Sequence, residues 1–152
     1  MIKLSKISFS TISYVTEDVN LVIESVKQCI PEQFRDSKFN LQKMQSQFGD
    51  KLVLISNEFK NKNAISIIEY LALKMSDKDK RFLGNKLKER LDMEDRIFHL
   101  RFNKFLPLSN QIALGEGSDV IKVEIKYQVF TSDQNTFENV RNCLVKEGII
   151  LE

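Results

Sequence analysis

The chain has 152 residues, a length that holds one domain with an ordinary buried core. Apolar residues make up 42% and charged residues 29%, a composition that excludes a disordered chain. Twenty-three basic residues against 21 acidic ones leave a net charge of +2, which excludes a histone-like polycation but not a local basic patch.

The opening segment, Met1 to Tyr14, alternates polar and apolar residues and has neither the apolar run nor the cleavage site of a signal peptide. Lys3 to Tyr14 therefore reads as a strand, with Ile7, Phe9 and Thr11 on one face and Lys6, Ser8 and Ser10 on the other. Thr16 is the expected N-cap of a first helix, with Glu17 and Asp18 in its first turn. Val19, Val22, Ile23, Val26 and Ile30 give that helix an apolar stripe, and Pro31 ends it. Lys38 to Gln47 and Lys51 to Lys60 read as two strands joined around Gly49-Asp50. The second carries Leu52-Val53-Leu54-Ile55, apolar on both faces, so it is expected inside the sheet.

Asn63 is the expected cap of a second helix, Ala64 to Met75. Ser66, Glu69 and Lys74 interrupt that stretch, and it is too short to cross a bilayer. Ser76 starts a third helix predicted to run to Leu91, with Phe82, Leu83, Leu87 and Leu91 facing inward. Asp92 to Asp95 is a turn into a strand from Arg96 to Lys104, where Phe98, Leu100 and Phe102 alternate with His99, Arg101 and Asn103. A turn at Gly115-Glu116-Gly117-Ser118 precedes the last strand, Asp119 to Phe130. Ser132 or Asp133 opens the final helix, and Gly148 stops it. The expected architecture is one α+β domain over residues 1–152, with about four helices on a five-stranded, predominantly antiparallel or mixed sheet.

Catalytic chemistry finds little footing. His99 is the single histidine, so every Ser-His or Cys-His arrangement must pass through a mid-strand surface position. No serine lies in a G-x-S-x-G elbow. The Gly115–Asp119 run lacks the third glycine and the following helix of a phosphate loop, and its acids would repel a phosphate. Asp92, Glu94 and Asp95 read as a solvated turn rather than a magnesium site. Cys29 and Cys143 have no CxxC partner and sit at or beside apolar helix positions. They are expected as buried thiols of a cytoplasmic, non-enzymatic protein without metal or cofactor.

Charge distribution is more informative. Lys74 to Lys104 holds ten basic and six acidic residues, whereas the rest of the chain has 13 basic and 15 acidic. Lys78, Arg81, Asn85 and Lys88 recur at helical spacing and would project away from the apolar stripe as a positive ridge. The strand face with His99, Arg101 and Asn103 would join Lys122 and Lys126 if the last two strands pair. Two readings stay open: a nucleic-acid surface, or a solvated helix face whose cations complement the helix dipole.

The order of Ile7-Ser8-Phe9-Ser10, Thr16-Glu17-Asp18, Ile30-Pro31-Glu32, Phe48-Gly49-Asp50, Ser76-Asp77-Lys78-Asp79-Lys80, Leu100-Arg101-Phe102-Asn103-Lys104 and Gly117-Ser118-Asp119-Val120-Ile121-Lys122-Val123 resembles an archaeal family of RNA-binding proteins described as exosome subunits. The resemblance spans nearly the whole chain. It implies a fold like that of a 5S-RNA-binding ribosomal protein of the large subunit, and a non-catalytic partner of RNA and of exosome or other RNA-processing proteins. The family positions fall on Arg101, Lys104, Asp119 and Lys122. Phe105-Leu106-Pro107-Leu108-Ser109-Asn110 is more apolar than the resemblance leads one to expect. The expected RNA contacts are Lys78, Arg81, Lys88, Arg101, Lys104, Lys122 and Lys126. The alternative is a protein-interaction module that docks partners through Ile149-Ile150-Leu151 or the Phe105–Leu108 loop.

Overall fold

The computed structural model describes residues 2–129 and 136–151. Among them are six strands: β1 (Ile2–Ser13), β2 (Asn40–Gln45), β3 (Lys51–Lys60), β4 (Leu91–Asp92), β5 (Ile97–Asn103) and β6 (Val120–Val129). Five α-helices accompany them: α1 (Val19–Gln28), α2 (Asn61–Lys74), α3 (Asp77–Asn85), α4 (Leu87–Arg90) and α5 (Thr136–Glu147). All strands pair antiparallel in one sheet of order β2-β3-β1-β6-β5-β4. The strand and helix counts expected from sequence are each one short. The extra strand is the two-residue β4, and the extra helix arises where the expected third helix breaks.

That break falls at Lys86. Ser76 caps α3 as expected, its hydroxyl accepting the Asp79 N–H. The helix then tightens at Lys86, whose N–H is shared between the Phe82 and Leu83 carbonyls, and α4 restarts for one turn. Leu83, Leu87 and Leu91 stay buried, but Leu91 lies in β4 and Phe82 is half exposed, contrary to the expected inward stripe. Gly84 sits under the C-terminal segment, where a Cβ would come within 2.4 Å of the Leu151 carbonyl. The cap of α1 is Asp18 rather than Thr16, and the helix ends at Gln28. At α2, Lys60 leads straight from β3 into Asn61, whose φ of 55° makes the strand-to-helix turn, so the helix begins before Asn63. Gly148, at φ 81°, stops α5 as expected. The start expected for that helix at Ser132 or Asp133, and Phe130 of the last strand, lie outside the described residues.

Period-two alternation puts Ile7, Phe9, Phe98, Leu100, Phe102, Val123, Ile125 and Tyr127 on one sheet face. There they meet Val26 of α1, Ile67, Ile68 and Leu71 of α2, and Val140 and Leu144 of α5. Each large side chain so buried contributes about 1.5–3 kcal/mol. Ile149 and Ile150 join this core, so the C-terminal residues expected to dock a partner are spent inside the domain. Pro107 is likewise buried, leaving Phe105 and Leu108 half exposed. β3 is internal to the sheet as expected, but only Ile55 of Leu52–Ile55 is buried, because the β2–β3 hairpin reaches past the helices. Cys29 is buried, which pushes its thiol up to about 12; Cys143 is partly buried and its thiol is also raised by desolvation. No described helix is long and apolar enough to cross a membrane.

Candidate nucleic-acid interface

The sheet face away from the helices is uncovered, and antiparallel register sorts its side chains into rows. One row crosses β3, β1 and β6 as Lys60, Lys6 and Lys126. The next holds Glu58, Ser8, Glu124 and His99 on β3, β1, β6 and β5. A third crosses five strands as Asn40, Ser56, Ser10, Lys122 and Arg101. The first row runs on through Ile97 to Asp92 on β4, so five cations and three carboxylates stand in these rows.

Like charges directly opposite on neighbouring strands destabilise a sheet. This face carries three such pairs: Lys6 opposite Lys60, Lys6 opposite Lys126, and Arg101 opposite Lys122. Glu58 offsets part of the cost, lying 3.5 Å from Lys6 and 3.9 Å from Lys60. Glu124 lies 4.0 Å from His99 Nδ1. Lys122, Arg101 and Lys126 remain a cationic edge that an anion spanning the strands would neutralise. Ser8, Ser10, Ser56 and Asn40 add neutral donors and acceptors between them.

The pairing that sequence left conditional is therefore present: β5 and β6 are neighbours, and Arg101, Lys122 and Lys126 share one face with His99 and Asn103. Lys78 and Arg81 are exposed on α3. Lys88 is exposed too, but on α4, so the single ridge expected from unbroken helical spacing is divided. Lys104 is the clear correction. Its side chain is only 3% exposed. Its ammonium donates to the Ile12 carbonyl, to Glu17 at 2.6 Å and to Asp119 at 2.8 Å, with the Tyr14 ring 4.8 Å away. The Ser25 hydroxyl donates to its carbonyl. Lys104 and Asp119 thus tie the end of β5 to the β1–α1 turn and the approach to β6, with Lys104 buried and Asp119 still exposed.

Sequence reasoning missed Lys6 and Lys60, which joined the face only through the β1–β6 and β1–β3 registers. Arg90, in the last turn of α4, shares an open groove of about 410 Å³ with Glu89, His99 and Arg101, and its guanidinium stacks 5.5 Å from the Phe82 ring. The acidic turn serves itself: the Asp92 carboxylate accepts the N–H groups of Glu94 and Asp95.

Known proteins resemble this chain in sequence and fold. An uncharacterized protein of Methanocaldococcus jannaschii is 29% identical over 148 residues, 95% of this chain and 97% of its own length. An RNA-binding protein of Pyrococcus abyssi is 29% identical over 127 residues, 82% of each chain. The crystal structure of a DUF54 protein from Archaeoglobus fulgidus superposes with a TM-score of 0.79 at 19% identity, covering 95% of this chain and 99% of that one. A DUF54 protein from Methanothermobacter thermautotrophicus gives 0.74 at 20% identity, with 95% and 97% covered. A family model described as RNA binding matches residues 6–127, most of the sheet and all but the last of the helices, and the chain belongs to that RNA-binding family.

Proposed function

We propose that this chain is a non-catalytic RNA-binding protein that holds the phosphate backbone on its uncovered sheet face. The observation that carries the reading is the set of like-charged cross-strand pairs, Lys60–Lys6–Lys126 and Lys122–Arg101, a costly arrangement that a polyanion relieves. Family membership and the name of the Pyrococcus abyssi relative support it. Phosphate contacts set affinity and position without reading bases, so broad sequence tolerance is expected. Lys78 and Arg81 on α3, with Lys88 and Arg90 on α4, extend the contact around the β4–β5 edge. An accessory role in cytoplasmic RNA processing, beside the exosome, fits the family resemblance and the ribosomal-protein-like fold it implies. The interaction-module alternative loses its C-terminal support, since Ile149 and Ile150 lie in the core.

Filter binding with single-stranded and structured RNA over a salt series tests this. Affinity is expected to fall steeply with salt for every RNA sequence. Replacing Lys78, Arg81 and Lys88 together by glutamate, all exposed and cheap to change, tests the helical extension. Removing one lysine–phosphate or arginine–phosphate pair flattens the slope of log affinity against log salt by about 0.7, so the triple variant should be flatter by up to roughly two units. Unchanged affinity and slope in a folded triple variant would remove α3 and α4 from the RNA surface; salt-independent or absent binding by the wild type would refute the function.

A further inference from the structure

We propose that the β2–β3 hairpin is an RNA-gripping arm whose Phe48 ring stacks on an unpaired base while Lys43 and Lys51 hold the flanking phosphates. The inference rests on the RNA-binding reading above and extends it to a site outside the basic rows. All six residues of β2 are exposed on both faces, so the hairpin stands clear of the core. At its tip Phe48 is 82% exposed. Exposed apolar residues are ordinary, and Leu41 and Met44 of β2 are exposed as well. Here hydrogen bonds fix the backbone of the turn that carries it.

Ser46 organises that turn. Its hydroxyl accepts the N–H groups of Phe48 at 3.2 Å and Asp50 at 3.1 Å. Its own N–H donates to the Asp50 carbonyl and its carbonyl accepts the Gly49 N–H, each at 2.9 Å. The Gln45 amide donates to the Gly49 carbonyl at 3.1 Å, and Gly49 takes a φ of +86° that a side chain would resist. An aromatic ring on a pre-formed turn loses little entropy on binding, and every base offers it a face. Lys43 and Lys51 flank the turn on β2 and β3, against the single carboxylate of Asp50. Register sets Lys43 and Lys51 together on one face of the hairpin, opposite the face where Asn40 begins the row ending in Lys122 and Arg101, so the arm adds a contact separate from the basic rows. A base inside a duplex has no free face, so the arm selects looped or single-stranded RNA.

The chain contains no tryptophan, so Phe48→Trp makes a lone fluorescent reporter. The probes are a stem-loop with an unpaired loop and an unbroken duplex of equal length. Phe48→Ala is expected to weaken stem-loop binding by about 5- to 150-fold while leaving its salt slope unchanged, since every phosphate keeps its cation. Duplex binding should be unaffected. Phe48→Trp should bind like the wild type, its emission quenched on saturation with the stem-loop. Leu73→Ala, at a comparably exposed apolar position on α2, should change nothing. Equal stem-loop affinity for Phe48→Ala and wild type, or unquenched tryptophan emission at saturation, overturns the arm and leaves the ring as a contact for another protein. Equal weakening on both RNAs overturns base stacking. These failures are distinct from that of the parent reading, in which the wild type would bind neither RNA.

Discussion

Lys104, expected from sequence as an RNA contact, is buried and paired inside the fold. Burying an ammonium costs several kcal/mol unless it is paired and hydrogen-bonded, and here three acceptors surround it. Removing the side chain takes the ammonium from Glu17, which keeps only the Tyr14 N–H, and from the Ile12 carbonyl. Lys104→Ala is therefore expected to lower stability by about 3 kcal/mol in urea denaturation. The folded fraction should keep wild-type RNA affinity and salt slope, whereas a phosphate-contacting Lys104 would flatten the slope. The clue was present in the sequence: the alternation that sends Phe98, Leu100 and Phe102 inward sends position 104 inward as well. A lysine reads as exposed by default, and only the nearness of Glu17 and Asp119 in space reverses that default.

Among the elements, β6 and α5 are joined by a polar contact in an otherwise apolar seam. The Tyr127 hydroxyl donates to the Glu147 carboxylate. Burial raises the Glu147 carboxyl from its ordinary 4.5 to about 7, against the lowering effect of that hydrogen bond. Desolvation, then the charge of Glu147, raises the Tyr127 hydroxyl well above its usual range. With a folded pKa above the unfolded one, the native state holds the proton longer. The wild type therefore loses stability as pH rises from 4.5 through 7. Glu147→Gln keeps a partner for Tyr127 but has no charge to desolvate. Its stability relative to wild type should increase by about 1 kcal/mol across that window, allowing for the partial exposure of Glu147. Melting curves at several pH values check this, and a constant difference between the two proteins would contradict it.

Element types were largely legible from periodicity. The alternating runs around Ile7, Phe98 and Val123 became β1, β5 and β6, and Ser76 and Gly148 marked real helix ends. What escaped was set by tertiary context. The third helix breaks at Lys86 because Leu87 and Leu91 must reach the core while the chain turns toward β4, and β4 is too short to have a period. For the site, Arg101, Lys122 and Lys126 were legible as outward strand positions. Lys6 was legible as an outward position too, but its place opposite Lys60 and Lys126 was not, because a register between strands far apart in sequence leaves no local signal.

On the scale of the whole molecule, the fold divides its two sheet faces between two tasks. The helices and the C-terminal Ile149-Ile150 close one face into a core, and the other is left as a surface where cations oppose one another across strands. A near-neutral chain can thereby present a concentrated positive face, which steers and holds a polyanion better than the same charges dispersed. The most direct test neutralises that face alone. Lys6, Lys122 and Lys126 are replaced together by glutamine, and binding to a single-stranded RNA is measured from low to high salt. The account predicts a folded protein, no less stable than wild type because like-charge repulsion is relieved, with weaker binding and a salt slope flatter by about two units. A folded variant that binds with wild-type affinity and slope would contradict it.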